Sequence, residues 1–392
     1  MVEMRLFVFL LLALSPLSAQ QLTINAGTII DGRGNVLHNK RIAIDGSHIV
    51  SISNIEGPAD FELGKYTVMP GWIDTHVHLE WHFDKEGKIV RQQKEDPRAV
   101  VLYDAENAWL TLQGGFTTVQ SVGSRADGYV RDRINEGRLP GPRILTSLIQ
   151  ITKDSGSPEQ LRALVRQTKA EGADLIKLFA TAGLGAGGGQ TMTDEQIQAT
   201  CSEAKAQGLR SVVHAIGDSG IRASVLAGCT SIEHGNKISD ESLKLMAERG
   251  TYFDPNFLVL HNYLEHLANY DFTPAVQATL RDALPLSADV LKRARKYGVK
   301  VVLGTDAVAG AHGRNAEEFI YRVQEGGDKP MDALTSGTSM AAEALGLGNT
   351  VGTVAPGYQA DLVAVEGNPL DDITCVRKVV FVMKSGQVYR NK

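Results

Sequence analysis

With 392 residues, 43% hydrophobic and 22% charged, the chain has the make-up of a globular protein long enough for one large barrel and a small appendage. A net charge of −5 argues against a nucleic-acid partner, and beyond the first residues no run is apolar and long enough for a membrane helix. The three cysteines, Cys201, Cys229 and Cys375, are too few and too odd for a disulfide framework and are read as three buried thiols.

The opening "MVEMRLFVFLLLALSPLSAQQ" reads as an export signal. Its apolar run, Leu6 to Leu14, is too short to span a bilayer, Pro16 breaks it, and Ala19 offers a small residue for cleavage. Residues 1–19 are expected to be removed, leaving a periplasmic or secreted protein without a membrane segment. Residues 20–69 then alternate apolar and polar positions between Gly and Asp turns, in "QLTINAGTIIDGRG", "KRIAIDGSHIVSISN" and "FELGKYTVMPG". Residues 352–392 do the same in "GTVAPGYQADLVAVEGNP" and "VRKVVFVMKSGQVYR". These two ends are expected to pair into one small β-sandwich.

Between them, residues 70–351 alternate strand-like and helix-like runs. The strand candidates are "WIDTHVH", "FTTVQSV", "RILTSL", "DLIKLFA", "SVVHA", "SIEHG", "TYFDPNF" and "VKVVLGTDA", eight in all. Helical segments such as "SPEQLRALVRQTKAEG", "TDEQIQATCSEAKAQG" and "LSADVLKRARKYG" separate most of them, several closing on a Gly. Eight such units over roughly 250 residues predict an α/β fold of the (β/α)8 TIM-barrel type. The stretch at about 257–285 breaks the rhythm and is long enough to fold over the barrel mouth as a lid.

Candidate chemistry gathers at the strand ends. His76 and His78, two apart on a strand, face the same side. Alone the pair does not distinguish a metal site from two surface histidines. Other runs, however, end on His214, His234 and Asp306, the rim where barrel enzymes keep their active sites. Such a cluster suits Zn²⁺ or another borderline divalent ion. Lys177, inside the apolar run "DLIKLFA", is costly to bury charged. It is either a structural lysine or one that reacts with CO₂ to give a metal-bridging carbamate.

The order His-x-His, Lys, His, His, Asp, with the entry "VMPGWIDTHVH", the exit "APGYQADLVAV" and the β-rich ends, resembles the binuclear metal-dependent amidohydrolase superfamily. "IKLFATAG", "SIEHG" and "GTDAVAGAHGRN" resemble its imidazolonepropionase-like and Xaa-Pro dipeptidase-like branch. The resemblance implies two divalent metal ions. His76, His78 and Asp306 would hold one, His214 and His234 the other, and carboxylated Lys177 would bridge them. It further implies a metal-activated hydroxide as nucleophile and Asp306 as the catalytic proton carrier. The implied activity is hydrolysis of a C–N bond in a small-molecule amide, an N-acyl amino acid or a dipeptide, with a cyclic amide or lactone as the alternative. A non-catalytic metal- or ligand-binding protein is disfavoured, since binding needs no proton carrier. The sequence leaves homo-oligomerisation open.

Tyr263 and His261 on the lid, and His312 and Arg314 after Asp306, are candidates to touch substrate, Arg314 through a substrate carboxylate. Trp81 and His82 follow the first motif and could line the pocket. The Gly-rich stretch Ala180 to Met192 lacks a P-loop pattern and is read as backbone passing close to substrate. His266 is read as exposed. Dipeptidase-like relatives often carry a Gly-Gly-His turn after strand three. Here that place reads "LTSLIQITKDSGSPEQ", without a histidine, so a dipeptide substrate does not transfer directly.

Overall fold

The computed structural model describes residues 21–90 and 95–392; the export signal read at 1–19 lies outside the described residues. Four strands come first, β1 (Gln21–Ile30), β2 (Val36–Asp45), β3 (His48–Asn54) and β4 (Phe61–Pro70). A parallel series follows. It runs β5 (Trp72–Val77), a small hairpin of β6 (His82–Phe83) and β7 (Ile89–Val90), α1 (Pro97–Gln113), β8 (Phe116–Ser121), α2 (Arg125–Asn135), β9 (Arg143–Thr146), β10 (Gln150–Ile151), α3 (Pro158–Ala170), β11 (Leu175–Phe179), α4 (Asp194–Ala206), β12 (Arg210–Gly217), α5 (Asp218–Leu226), β13 (Ser231–Lys237), α6 (Asp240–Arg249) and β14 (Tyr252–Asp254). Helices α7 (Leu258–Glu265), α8 (Leu267–Tyr270) and α9 (Pro274–Lys296) come next, then α10 (Glu317–Gln324), α11 (Pro330–Ser336) and α12 (Ser339–Ala344). The chain closes with β15 (Leu362–Glu366), β16 (Val379–Lys384) and β17 (Gln387–Asn391).

The two ends pair with each other, as expected, in one seven-stranded sheet ordered β17-β16-β15-β4-β1-β2-β3. Alternate residues of β1, β2, β4, β15 and β16 bury one face over Ile24, Ile42, Val68, Leu362 and Phe381. The sheet rolls over this core. The Phe61 and Phe381 rings meet at 5.3 Å, and Ile49 N–H reaches back to Tyr358 O at 2.9 Å.

In the middle, β5-β8-β9 form one parallel sheet and β10-β11-β12-β13-β14 another. Every residue of β5 and of β8 is buried, as in strands covered on both faces. Helices α3 and α4 start where the sequence places them. Ser124, Ser157 and Thr193 cap α2, α3 and α4 in capping boxes, the last two with Gln160 and Gln196. The expected eighth strand differs. Residues 299–307 form only two isolated parallel bridges, Val301 to Phe253 and Ala307 to Val77. Its ladder is broken by Gly304, where a Cβ would stand 1.7 Å from Asp254 Oδ2. Gly304 N–H donates to Asp254 Oδ1 instead of to a neighbouring strand.

Two further expectations are corrected. Cys201 in α4 and Cys229 after α5 are joined in a disulfide, since their Cα atoms come within 5.2 Å where α4 and α5 pack together. Cys375 remains a buried thiol. The helix expected to start at Leu286 begins at Pro274, capped by Thr273, and runs through Pro285. Pro285 is exposed, so the carbonyl its missing N–H leaves unpaired lies toward water.

Candidate metal centre

Strand geometry brings the six residues expected as ligands to one cavity wall. His76 sits in β5 and His78 just beyond its end. The segment 299–307 runs beside them, with Asp306 N–H donating to His76 O at 2.8 Å and His78 N–H donating to Ala307 O at 2.9 Å. The clasp is tightened by Asp74, which accepts from Thr305 N, Thr305 Oγ1 and Asn315 Nδ2 at 3.0, 2.6 and 2.8 Å. Asp306 Oδ1 thereby lies 3.4 Å from His76 Nε2 and 3.2 Å from His78 Nε2. Lys177, in the middle of β11, places Nζ 3.2 Å from His76 Nε2. His214 from β12 and His234 from β13 meet edge to face at 4.6 Å, and the His76 and His234 rings are 5.5 Å apart.

Two of these residues hold strained backbone. His234 and Asp306 adopt φ of +72° and +51°, a left-handed region uncommon outside glycine, though Asp and His enter it more readily than most. Their strand and clasp hydrogen bonds hold them there.

The electrostatics favour neutral imidazoles at His76, His214 and His234 and an ionised carboxylate at Asp306. Burial first, and Lys177 second, push His76 well below the ordinary imidazole range and bring His214 to about 4. Burial and the neighbouring His214 do the same to His234. Lys177 is lowered by its own burial. Burial would raise Asp306, but His76, His78 and Lys177 outweigh it and hold the carboxyl at about 2. Neutral imidazoles and an ionised carboxylate are the protonation states in which these side chains bind metal. His214 Nε2 is moreover buried without a hydrogen-bond partner in the protein, an orphan a cation would satisfy.

Sequence reasoning missed the groups behind this wall. Glu233 Oε2 lies 3.0 Å from His76 Nδ1. Next to Glu233 stands Asp254, which accepts from Thr75 Oγ1 at 3.0 Å and from Arg322 at 3.0 Å. Ligand-type atoms of His76, Glu233 and Asp254 lie within 4.8 Å of one another, as do those of His76, His78 and Asp306. Burial raises both Glu233 and Asp254, and for Asp254 the adjoining Glu233 charge adds to it. Arg322, fully buried, also holds Glu318 at 2.8 Å. The only signal in the sequence was the Glu next to His in "SIEHG", and strict alternation would have turned it away from the site.

The substrate candidates divide. Tyr263 lines the cavity, as do Trp81 and the Gly-rich loop through Gly183, Leu184 and Gly185. Arg314 does not: it pairs with Glu265 and Glu317, both at 2.7 Å, and borders a different cavity. His312 is buried against the His78 carbonyl at 3.1 Å, outside the cavity wall, and burial brings it to about 3. His261 stacks on Tyr321 and pairs with Glu325, and His82 stacks on Tyr103. His266 is half-buried rather than exposed, bonding through Nδ1 to Asn262 O. The cavity itself holds about 390 Å³.

Known proteins share this arrangement of the chain. The ochratoxinase of Aspergillus niger is 25% identical over 420 aligned positions, covering 94% of this chain and 86% of its own. The crystal structure of a Xaa-Pro dipeptidase with methionine bound in the active site superposes with a TM-score of 0.86 at 32% identity, covering 95% of this chain and all of that one. The imidazolonepropionase of Shewanella putrefaciens is 30% identical over 177 positions, 43% of this chain and 37% of its own. The profile described as the amidohydrolase family spans residues 67–389, and the chain belongs to that family as a hydrolase acting on carbon–nitrogen bonds.

Proposed function

We propose that the chain is a divalent-metal-dependent amidohydrolase of small molecules bearing a bulky apolar group, with N-acyl amino acids and dipeptides as the first classes to assay. The observation that carries this reading is the convergence of His76, His78, Lys177, His214, His234 and Asp306 from five separate segments on one cavity. In this reading His76, His78 and Asp306 hold one ion and His214 and His234 the other. Lys177, as a carbamate, serves both. Two divalent ions, Zn²⁺ by donor type, would supply the Lewis acidity that activates water and polarises a carbonyl.

The chain's own residues do the rest. Asp306, ionised beside His76 and His78, takes a proton on its carboxylate and returns it to the leaving nitrogen. Trp81, Leu184, Tyr263, Phe272 and Leu280 line the cavity with apolar surface that holds a hydrophobic substituent and keeps bulk water out.

The same reading takes residues 70–351 as a (β/α)8 barrel. The bridges at Val301 and Ala307 and the bond from Asp174 N to Thr146 O support it by linking the edges of its two sheets. Residues 20–69 and 352–392 are the appended sandwich, and 257–285, helices α7 and α8 with the first half of α9, are the lid. Export with loss of residues 1–19 fits the Cys201–Cys229 bond, which persists in an oxidising compartment. Assaying the purified protein, with and without added Zn²⁺, on a panel of N-acyl amino acids, dipeptides, neutral amides and lactones tests the activity. Full turnover after exhaustive chelation would refute the metal-dependent reading.

A further inference from the structure

Among the described residues, three carboxamides line the cavity: Gln150, Asn236 and Asn256. The first two have their donors committed, Gln150 Nε2 to Val122 O at 3.0 Å and Asn236 Nδ2 to Ser287 Oγ at 2.8 Å. Asn256 has neither atom committed. It is 1% exposed, and both Nδ2 and Oδ1 are buried without a hydrogen-bond partner in the protein. Buried polar side chains are nearly always satisfied, so an uncommitted one bordering a cavity calls for a partner from outside the chain.

The backbone strengthens the case. Asn256 holds φ at +50°. It sits in the short turn between β14 and α7, and the turn is anchored on both sides. Before it, Asp254 accepts from Gly304 N at 2.9 Å, Thr75 Oγ1 at 3.0 Å and Arg322 at 3.0 Å. After it, Phe257 N and Leu258 N donate to Glu318 Oε2 at 2.9 and 2.7 Å. A turn that needed only a positive φ would be served by glycine, which adopts it without strain and leaves no polar head to satisfy. What the sequence adds here is a carboxamide, held rigidly beside the candidate metal centre, a few residues from the helix that carries Tyr263.

We propose that Asn256 is a specificity-determining residue that binds an uncharged primary carboxamide of the substrate, donating from Nδ2 and accepting at Oδ1. A primary carboxamide offers an acceptor and a donor side by side, which satisfies both atoms; a carboxylate satisfies Nδ2 and leaves Oδ1 facing an anion. The surroundings agree. Among the described residues lining the cavity, Lys177 is the one lysine or arginine, and it is engaged with His76. Arg314 is turned away toward Glu265 and Glu317. The substrate class is therefore a neutral amide with an apolar substituent. This rests on the hydrolase reading above and narrows it, moving the free carboxylate of a dipeptide or N-acyl amino acid out of the preferred class.

The test compares N-phenylacetyl-phenylalanine amide with N-phenylacetyl-phenylalanine, which differ only in a primary carboxamide against a carboxylate, with release of phenylacetate followed for both. The metal-loaded full-length protein is expected to favour the neutral amide by roughly tenfold or more in kcat/KM. Asn256→Gly keeps the left-handed turn and removes the head. It should hold the wild-type melting temperature and lose about 10–100-fold in kcat/KM on the neutral amide. Asn256→Asp, equal in shape but without the donor, should lose a similar factor. Preference for the carboxylated substrate, or an Asn256→Gly variant within about twofold of wild type, would overturn the proposal. Binding of the neutral amide is followed in parallel by thermal shift. An amide that stabilises wild type but not Asn256→Gly, and is never cleaved, would sustain the assignment of Asn256 while sinking the hydrolase reading. Equal cleavage and equal binding by both proteins would do the reverse.

Discussion

His76 Nδ1 and Glu233 Oε2 lie 3.0 Å apart, both side chains sealed from solvent. The contact fixes the imidazole: with Nδ1–H donating to Glu233, the lone pair on Nε2 faces Lys177 and Asp306. Partners of this kind orient a metal-binding histidine and raise its basicity. Glu233→Gln keeps the volume but weakens the acceptor. It is expected to lower metal affinity by about 10–100-fold with little change in fold. Competition against a graded series of chelators reads the affinity directly, and an unchanged midpoint would reduce Glu233 to a packing residue.

Lys177 is the second point of test. Its burial lowers the amine, and a neutral amine is the form that reacts with CO₂. Metal analysis of the native protein should find about two divalent ions per chain, as in two-metal hydrolases. Lys177→Ala should lose activity and one of those ions, and short carboxylic acids should restore part of both. A variant that keeps the full metal complement would show that the lysine bridges nothing.

The Cys201–Cys229 bond closes a separation of 28 residues. Constraint of the unfolded chain by a loop of that size is worth about 3.5 kcal/mol. Replacing both cysteines with serine should lower the unfolding midpoint in urea without altering kcat at 25 °C. An identical midpoint in reductant and in air would mean that the bond adds nothing.

Arg322 is buried between Asp254 and Glu318, at 3.0 and 2.8 Å, and donates to Val302 O at 2.6 Å. Arg322→Leu strands two buried carboxyl groups and should cost about 3–5 kcal/mol. Because Asp254 and Glu318 also anchor the turn at Asn256, substrate KM should rise as well. Denaturant unfolding together with KM checks both. A loss of stability at unchanged KM would uncouple the network from the cavity.

What the sequence made legible follows from period. Two-residue spacing put His76 and His78 on one side, the ends of apolar runs marked His214, His234 and Asp306, and a lone charge inside one marked Lys177. What it hid depends on departures from period or on contacts far apart in the chain. Glu233 was hidden because the left-handed backbone at His234 breaks the alternation that would point neighbours apart. The segment 299–307 read as a strand from its valines, yet Gly304 and Asp254 replace part of its ladder with side-chain bonds. Pro285 looked like a helix boundary, but on an exposed face the one hydrogen bond it removes is left to water and the helix continues. Arg314 looked free to meet a carboxylate because Glu265, its partner, sits 49 positions away at the end of α7.

Asp306 carries the last prediction. Its carboxylate stands against both His76 and His78, and those groups with Lys177 hold it ionised, at about 2. In that state it can accept a proton and pass it on. Return of a proton matters most when the leaving group is poor, as an amine is, and little when the leaving group is a stabilised phenolate. Asp306→Asn keeps an oxygen donor and nearly the same volume but has no carboxylate to take the proton. Asparagine also tolerates the positive φ found here, so the backbone should stand. The variant is expected to lose roughly 10²–10⁴-fold in amide turnover, the usual scale of general acid–base help, and distinctly less on activated esters. The measurement is the ratio of amide to activated-ester turnover in wild type and variant, with metal content determined in each. If both substrates fall by the same factor at full metal occupancy, Asp306 holds metal and carries no proton.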